Sequence, residues 1–331
     1  MIKVLLHITD IPSKARRALV SRYLFDNWFS LLIRYALTRL GFNVRLTAKV
    51  DDCTFELSPE TFGCLVGNAS RGLIRLIECN GHKAVVVYAS GIQVPIKYFE
   101  KGDACYIDLA IKNGWVYDLT NGFWFKGNVK FRRMYWLILS IFDDGEYELL
   151  NVVGRVVVDV GAYVGDSAIY FALKGAKRVI AVEPYPNAYA EMLENIRLNN
   201  LENIITPINA GLASKPGKIC TKKVGVYATY NIYHKPGDCP NAVPAMTLNE
   251  IISRFVINPD NAALKMDCEG CEFDVILNDY EHVKLFKELI FEYHSYTVNK
   301  PVDELLNVLG RDYKCDIRGD EDLGIMHCVR K

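Results

Sequence analysis

Asp267, Glu269 and Glu272 place three carboxylates within six residues, and further along Glu292 and His294 stand with one residue between them. Like charges that close raise one another's pKa unless a cation or a hydrogen-bond donor compensates, and a carboxyl poised near neutrality can take up a proton. In an extended segment Glu292 and His294 share a face, because side chains alternate with a period of two. The pair can then converge on one substrate, with His294 as general base oriented by Glu292 and with Asp267 and Glu269 beside the reacting groups. Asp267 and Glu269, with Glu292 as a third ligand, would also suit a hard cation such as Mg²⁺, but no regular loop of carboxylates surrounds them and the base reading is preferred. A plainer reading makes Glu269 and Glu272 a solvated helix start, where acidic residues are favoured in any case, and His294 a satisfied core histidine.

A second constellation precedes the first. The β-branched run Val156 to Val160 carries Asp159 and opens into Gly161-Ala162-Tyr163-Val164-Gly165-Asp166-Ser167, a strand running through a glycine-bearing turn into a helix. Such a junction offers free backbone N–H groups to a ligand; Gly161 allows close approach and Gly165 lets helix pack on strand. The spacing is D-x-G-x-x-x-G and lacks the third glycine of a dinucleotide fingerprint. Val179 to Val182 forms another short strand ending at Glu183-Pro184, which puts a carboxylate where it can accept hydrogen bonds from both hydroxyls of a ribose.

These residues need a sheet to hold them. From Asn151 onward strands and helices alternate: Val156 to Val160, a helix from Ser167, Val179 to Val182, a helix Ala188 to Asn199, Ile204 to Ile208 and a helix near Leu248 to Phe255. Ala263 to Met266, a helix through Phe273 to Asn278, Leu289 to Tyr293, a helix Val302 to Leu309 and a hairpin of Tyr313 to Ile317 with Ile325 to Val329 complete the pattern. The alternation predicts an α/β fold, a Rossmann-like seven-stranded and mostly parallel sheet with right-handed crossovers and a terminal antiparallel strand. Ligands belong at the carboxyl ends of such strands, which brings Asn209 and Ala210, after the third strand, to the adenine side of the site.

Taken together, Asp159-x-Gly161-x-x-x-Gly165-Asp166-Ser167, Val182-Glu183-Pro184, Lys265-x-Asp267-x-Glu269-Gly270-x-Glu272 and Glu292-x-His294 resemble the FkbM family of class I methyltransferases, especially archaeal members with an added N-terminal domain. The resemblance covers residues 151 to about 300, and Asp-x-Glu-Gly-x-Glu is its most specific element. It implies S-adenosyl-L-methionine as cofactor, held by Asp159, Gly161, Ala162, Tyr163, Gly165, Asp166, Ser167, Glu183, Pro184, Asn209, Ala210 and Asp267. It also implies O-methylation of a hydroxyl on a sugar or secondary metabolite. Tyr163 stands where the family usually has Asn, and Cys268 and Cys271 replace residues commonly Val or Ile and Ala; neither departure removes a charge.

Residues 1–150 differ in texture. A helix near Ser21 to Leu40 is followed by short runs, Asn43 to Val50, Thr54 to Leu57, Lys83 to Tyr88, Ala104 to Ile111 and Gly114 to Leu119, which predict an N-terminal α+β accessory domain with an antiparallel sheet. The methyltransferase-like domain then spans 151–331. Gly122 to Trp136 mixes aromatics with basic side chains, which suits either stacking against a nucleic acid or a packing face with solvated cations; the second is preferred. The first 150 residues carry a net charge of only +4 against −4 for the rest, weak support for RNA as partner.

The remaining signals bound the setting. No secretory signal is visible at Met1 to Ile8, and Tyr23 to Leu40, the longest apolar segment, is interrupted by Asp26, Asn27, Arg34 and Arg39, so it reads as a buried helix and no membrane span is expected. Ten cysteines without framework spacing read as a reduced cytoplasmic chain, with a hyperthermophilic protein as the exception that would oxidise some of them. Cys268 and Cys271 form a lone C-x-x-C with no partner pair, which argues against zinc. No Pro-Pro-Tyr follows the fourth strand, which argues against N-methylation of adenine, and Cys268 lacks the Pro-Cys setting of a pyrimidine-carbon nucleophile. Small-molecule or glycan acceptors lead; RNA methylation docked by the N-terminal domain comes second, and an idle cofactor-binding assembly protein third. Tyr227, Tyr230 and Tyr233 are candidates to shape the acceptor pocket.

Overall fold

In the computed structural model, which describes residues 13–81, 83–99, 104–220, 235–236, 242–255 and 257–331, the chain divides into two compact units at Trp136/Leu137. Residues 137–150, expected with the accessory domain, thus belong to the second unit. The reason is Tyr147, which packs on Phe171 with ring centroids 6.0 Å apart and donates a hydrogen bond to Asp267. Neither contact has a signature in local periodicity.

The second unit is built on β1 (Val156–Val160), β2 (Arg178–Val182), β3 (Ile205–Ile208), β4 (Ala262–Met266), β5 (Glu288–His294), β6 (Tyr313–Gly319) and β7 (Leu323–Arg330). They form one seven-stranded sheet in the order β3-β2-β1-β4-β5-β7-β6. β1 to β5 are parallel to one another, and β7 lies antiparallel between β5 and β6. This is the Rossmann-like class I methyltransferase arrangement that the alternation predicts. Helices α1 (Asp166–Leu173), α2 (Pro186–Leu198), α3 (Leu248–Arg254), α4 (Cys271–Asn278) and α5 (Asp303–Leu309) connect the strands. The central strands are covered on both faces, which is why Val157, Val158, Ala263, Leu264, Leu289 and Ile290 are wholly buried.

The first unit carries helices Ser13–Leu24, Trp28–Arg39, Pro59–Ser70 and Ala104–Lys112 with one two-stranded and two three-stranded antiparallel sheets. Three expectations change here. The single helix over Ser21 to Leu40 is two, broken where Asp26 and Asn27 accept hydrogen bonds from the Asp51 and Lys49 backbone N–H groups. It is also not wholly buried, since Phe29 and Ile33 stay exposed. Ala104 to Ile111 is helical: Ile107 and Ala110 are the buried positions, three residues apart as a helix spaces them. In the 122–136 segment, in line with the preferred packing reading, Trp124 and Phe131 are buried in the strands, with their rings against Tyr117 and Trp115.

The cysteines overturn the reduced-chain expectation. Cys53–Cys79, Cys64–Cys105, Cys268–Cys271 and Cys315–Cys328 are disulfides, Cys220 is also bonded, and no described cysteine is free. Cys53–Cys79 and Cys64–Cys105 join positions 26 and 41 residues apart, which spacing does not disclose, whereas Cys268–Cys271 is the local C-x-x-C and Cys315–Cys328 bridges the terminal hairpin. Among the described residues no helix is long and apolar enough to cross a membrane. Tyr227, Tyr230 and Tyr233 lie outside the described residues.

Candidate active site

The carboxyl ends of β1, β2, β4 and β5 supply the site. After β1 the chain turns at Gly161, φ +73°, and a Cβ there would sink into the Asp267 carbonyl oxygen, so only glycine lets the loop lie against the end of β4. The Gly161 and Ala162 N–H groups donate to Val182 O. Tyr163 adopts φ +44°, a left-handed conformation that Asn tolerates better than Tyr, which gives the departure at this position a physical meaning. Gly165, also left-handed at φ +86°, precedes α1 and faces Met192 of α2, as close helix packing requires.

Polar groups lock this loop. Ser167 Oγ donates to Asp159 Oδ2 at 2.8 Å, and the Tyr163 and Tyr185 N–H groups donate to the two Glu183 oxygens at 2.8 and 2.7 Å. Each Glu183 oxygen keeps a lone pair for a ribose hydroxyl, so the carboxylate fits the cofactor the loop implies. Burial raises Glu183 to about 7, against the pull of those N–H groups. Asp166, buried at the start of α1, accepts from the Ser167 N–H with Oδ1, while Oδ2 has no hydrogen-bond partner; burial lifts this carboxyl to about 7 as well. Asn209 donates to the carbonyls of Glu183 and Pro184, tying the end of β3 to that of β2, and Pro184 and Ala210 are buried beside it. A cavity of about 550 Å³ opens next to Asn209 and Ala210 and runs to Met246 and to Glu250 and Arg254 of α3. Its walls do not include Glu183 or the acidic cluster.

The cluster gathers around His294, which is 2% exposed. Its Nε2 lies 3.2 Å from Glu292 Oε2, 3.6 Å from Glu269 Oε2 and 4.0 Å from Asp267 Oδ1, and its Nδ1 lies 3.4 Å from Glu272 Oε1. The Glu292–His294 pairing and their convergence with Asp267 and Glu269 follow the expectation from β alternation. Burial disfavours the charged imidazolium, but Glu272 above all, then Glu292 and Asp267, outweigh it and raise His294 to about 12. An imidazole held as its cation cannot accept a proton at neutral pH, which corrects the general-base role expected of His294. The groups near neutrality are Glu269, raised to about 8 by burial and then by Asp267, Glu272 and Glu292 against His294, and Glu292, raised to about 7 by burial and Asp267. Glu269 sits at φ +58° in the turn before α4, and its Oε2 is buried without a hydrogen-bond partner.

Three further groups went unassigned in the sequence. Glu272 is wholly buried, where a solvated helix start was the plain alternative; it accepts from the Cys268 and Gly270 N–H groups at 2.7 and 2.8 Å while facing His294. Lys265 lies 3.1 Å from Asp159 and 4.0 Å from Asp267. Burial would favour the neutral amine, but Asp159, Asp267 and Asp166 hold its pKa above the ordinary value, so it remains an ammonium. Tyr147 donates to Asp267 Oδ2 at 3.1 Å. A lysine in an otherwise apolar strand, two residues before Asp267, was a readable signal; Tyr147 had none. Asp267, Glu292 and His294 also present potential metal-ligand atoms within 4.8 Å of one another.

Residues 159–315 match the model of the methyltransferase FkbM domain. The second unit is therefore an FkbM-family methyltransferase domain. A curated relative, uncharacterized protein 158B of Sulfolobus islandicus rod-shaped virus 1, is 27% identical over 154 residues, 46% of this chain and 70% of the viral protein. Among solved structures, methyltransferase FkbM from Methylobacillus flagellatus KT is similar at 17% identity and a TM-score of 0.39, over 58% of this chain and 47% of that one, so this chain spans about half of its length. TrmK from M. capricolum, solved with S-adenosylhomocysteine, is similar at 12% identity and a TM-score of 0.37, over 60% of this chain and 69% of that one. The FkbM domain contains every site residue named above except Tyr147.

Proposed function

We propose that this chain transfers a methyl group from S-adenosyl-L-methionine to a hydroxyl oxygen of a sugar or other small metabolite, with Glu269 as the proton acceptor. The observation that carries the reading is the packing of the Gly161 turn against the Asp267 backbone, two residues before Glu269, a carboxylate whose buried Oε2 lacks a hydrogen-bond partner. When bound, the cofactor supplies an electrophilic methyl carbon on a sulfonium. Glu183 would hold its ribose end, and the surrounding carboxylates would complement its positive charge. Methyl transfer is an in-line displacement, so the chief tasks are to align the acceptor oxygen and to take its proton. The His294 imidazolium lies nearest Glu292, at 3.2 Å, Tyr147 donates to Asp267, and Glu269 Oε2, 3.6 Å from the ring, accepts no hydrogen bond.

Transfer of labelled methyl into a fractionated extract tests the reading: label in small-molecule or glycan fractions supports it, and label in RNA replaces it with the RNA reading. An idle assembly protein would transfer no label to any fraction. A cytoplasmic setting would place these paired cysteines among the disulfide-rich intracellular proteins of hyperthermophiles.

A further inference from the structure

We propose that Asp267, Glu292 and His294 form a binding site for a divalent cation, Mn²⁺ or Mg²⁺, which seats the acceptor hydroxyl oxygen; the identity of that acceptor rests on the reading above, whereas the cation site does not. His294 Nε2 stands 3.2 Å from Glu292 Oε2 and 4.0 Å from Asp267 Oδ1. Ligands about 2.1 Å from one octahedral ion sit roughly 3.0 Å apart when adjacent and 4.2 Å when opposite, so these separations suit a shared ion with small side-chain shifts. Nε2 of His294 is the nitrogen donor of the set, within 4.8 Å of a carboxylate oxygen of each of the other two residues.

The surroundings are built as an outer shell. Glu272 Oε1 faces Nδ1 at 3.4 Å, and Glu272 is itself pinned by the Cys268 and Gly270 N–H groups, the carboxylate–histidine arrangement that sets the ring orientation of a metal-bound imidazole. Tyr147 occupies Asp267 Oδ2 and leaves Oδ1 toward the cluster. One imidazole and two carboxylates are hard to borderline ligands that accommodate Mn²⁺ or Mg²⁺, and the Cys268–Cys271 disulfide leaves no thiolate beside them. Glu269 Oε2, with no hydrogen-bond partner and 3.6 Å from Nε2, remains free to act as base. In the resulting step the coordinated O–H gives its proton to Glu269. The oxygen forms a bond to the methyl carbon as the carbon–sulfur bond breaks, and that electron pair stays on sulfur, turning the sulfonium into a thioether.

The test is titration of the EDTA-stripped full chain with Mn²⁺ alone, followed by the electron paramagnetic resonance signal of free Mn²⁺. One site per chain is expected. It should weaken at least tenfold in Asp267→Asn and in His294→Gln, and 10–100-fold in the outer-shell variant Glu272→Gln. The exposed Glu281→Gln should bind as the parent does, and each variant's melting temperature reports folding. Absence of saturable binding overturns the proposal, as does binding that survives both Asp267→Asn and His294→Gln. A specific Mn²⁺ site without methyl transfer to any hydroxyl supports the cation site and removes the transfer reading. Full transfer by the stripped chain with no Mn²⁺ bound does the reverse.

Discussion

Lys265 Nζ lies 3.1 Å from Asp159 Oδ1, with both side chains wholly buried, and the two residues are direct partners across the β4–β1 ladder. The ammonium also donates to the Val160 and Gly161 carbonyls at 3.3 and 2.8 Å, so one cation joins the start of the cofactor loop to the strand that delivers Asp267. Removing one partner of a buried pair strands the other charge. Lys265→Met should destabilise the domain by about 3–5 kcal/mol, and adding Asp159→Asn should restore part of it. Denaturant unfolding of the two variants measures this; a Lys265→Met chain as stable as the parent would contradict the role.

Glu269→Gln should lower kcat by about 10²–10⁴-fold while leaving the melting temperature within a few degrees of the parent. The carboxylate must be ionised to accept a proton, so kcat should rise with pH and level off above about 8. His294 adds no limb within that window, whether it is held as a cation by its carboxylates or bound through Nε2 to a metal. A flat profile between pH 6 and 9 would transfer the proton to another group.

Asp166 and Glu183 both have folded pKa values near 7, above those of free carboxylic acids. Their contribution to stability is therefore complete below the unfolded pKa, roughly 4, and is lost as pH rises through 7. The cofactor-free chain should melt at a lower temperature at pH 8 than at pH 5, and Asp166→Asn combined with Glu183→Gln should flatten that slope. Calorimetry at the two pH values decides it.

Alkylation under native, non-reducing conditions should add no mass at the described cysteines, whereas reduction should expose them. Cys53–Cys79 and Cys64–Cys105 span 26 and 41 residues, and losing either should cost roughly 3 kcal/mol of the first unit's stability. Mass spectrometry with and without reductant, paired with melting curves, checks both statements.

What could be read in advance follows physical range. Val156 to Val160 and Ala262 to Met266 announce buried parallel strands because continuous apolar runs report burial on both faces, and the loop glycines announce a turn because the backbone requires them. Glu292 and His294 converge because they are two residues apart on one strand. The Ala104–Lys112 helix has only two fully buried positions among its described residues, Ile107 and Ala110, too few to set a period in so short a run. The charge state of His294 was hidden because Glu272, from a different element, supplies the largest opposing charge. Tyr147 meets Asp267 across 120 residues, and no local pattern encodes such a contact.

That last contact bears on how the domain travels between proteins. The strand–helix repeat begins near Asn151, and a gene fusion or excision cut there would look clean by sequence. It would leave Asp267 Oδ2 without its phenol donor and expose the Phe171 ring that Tyr147 covers. A transplantable catalytic module must therefore start upstream, near Leu137, carrying a segment that belongs to none of its strands.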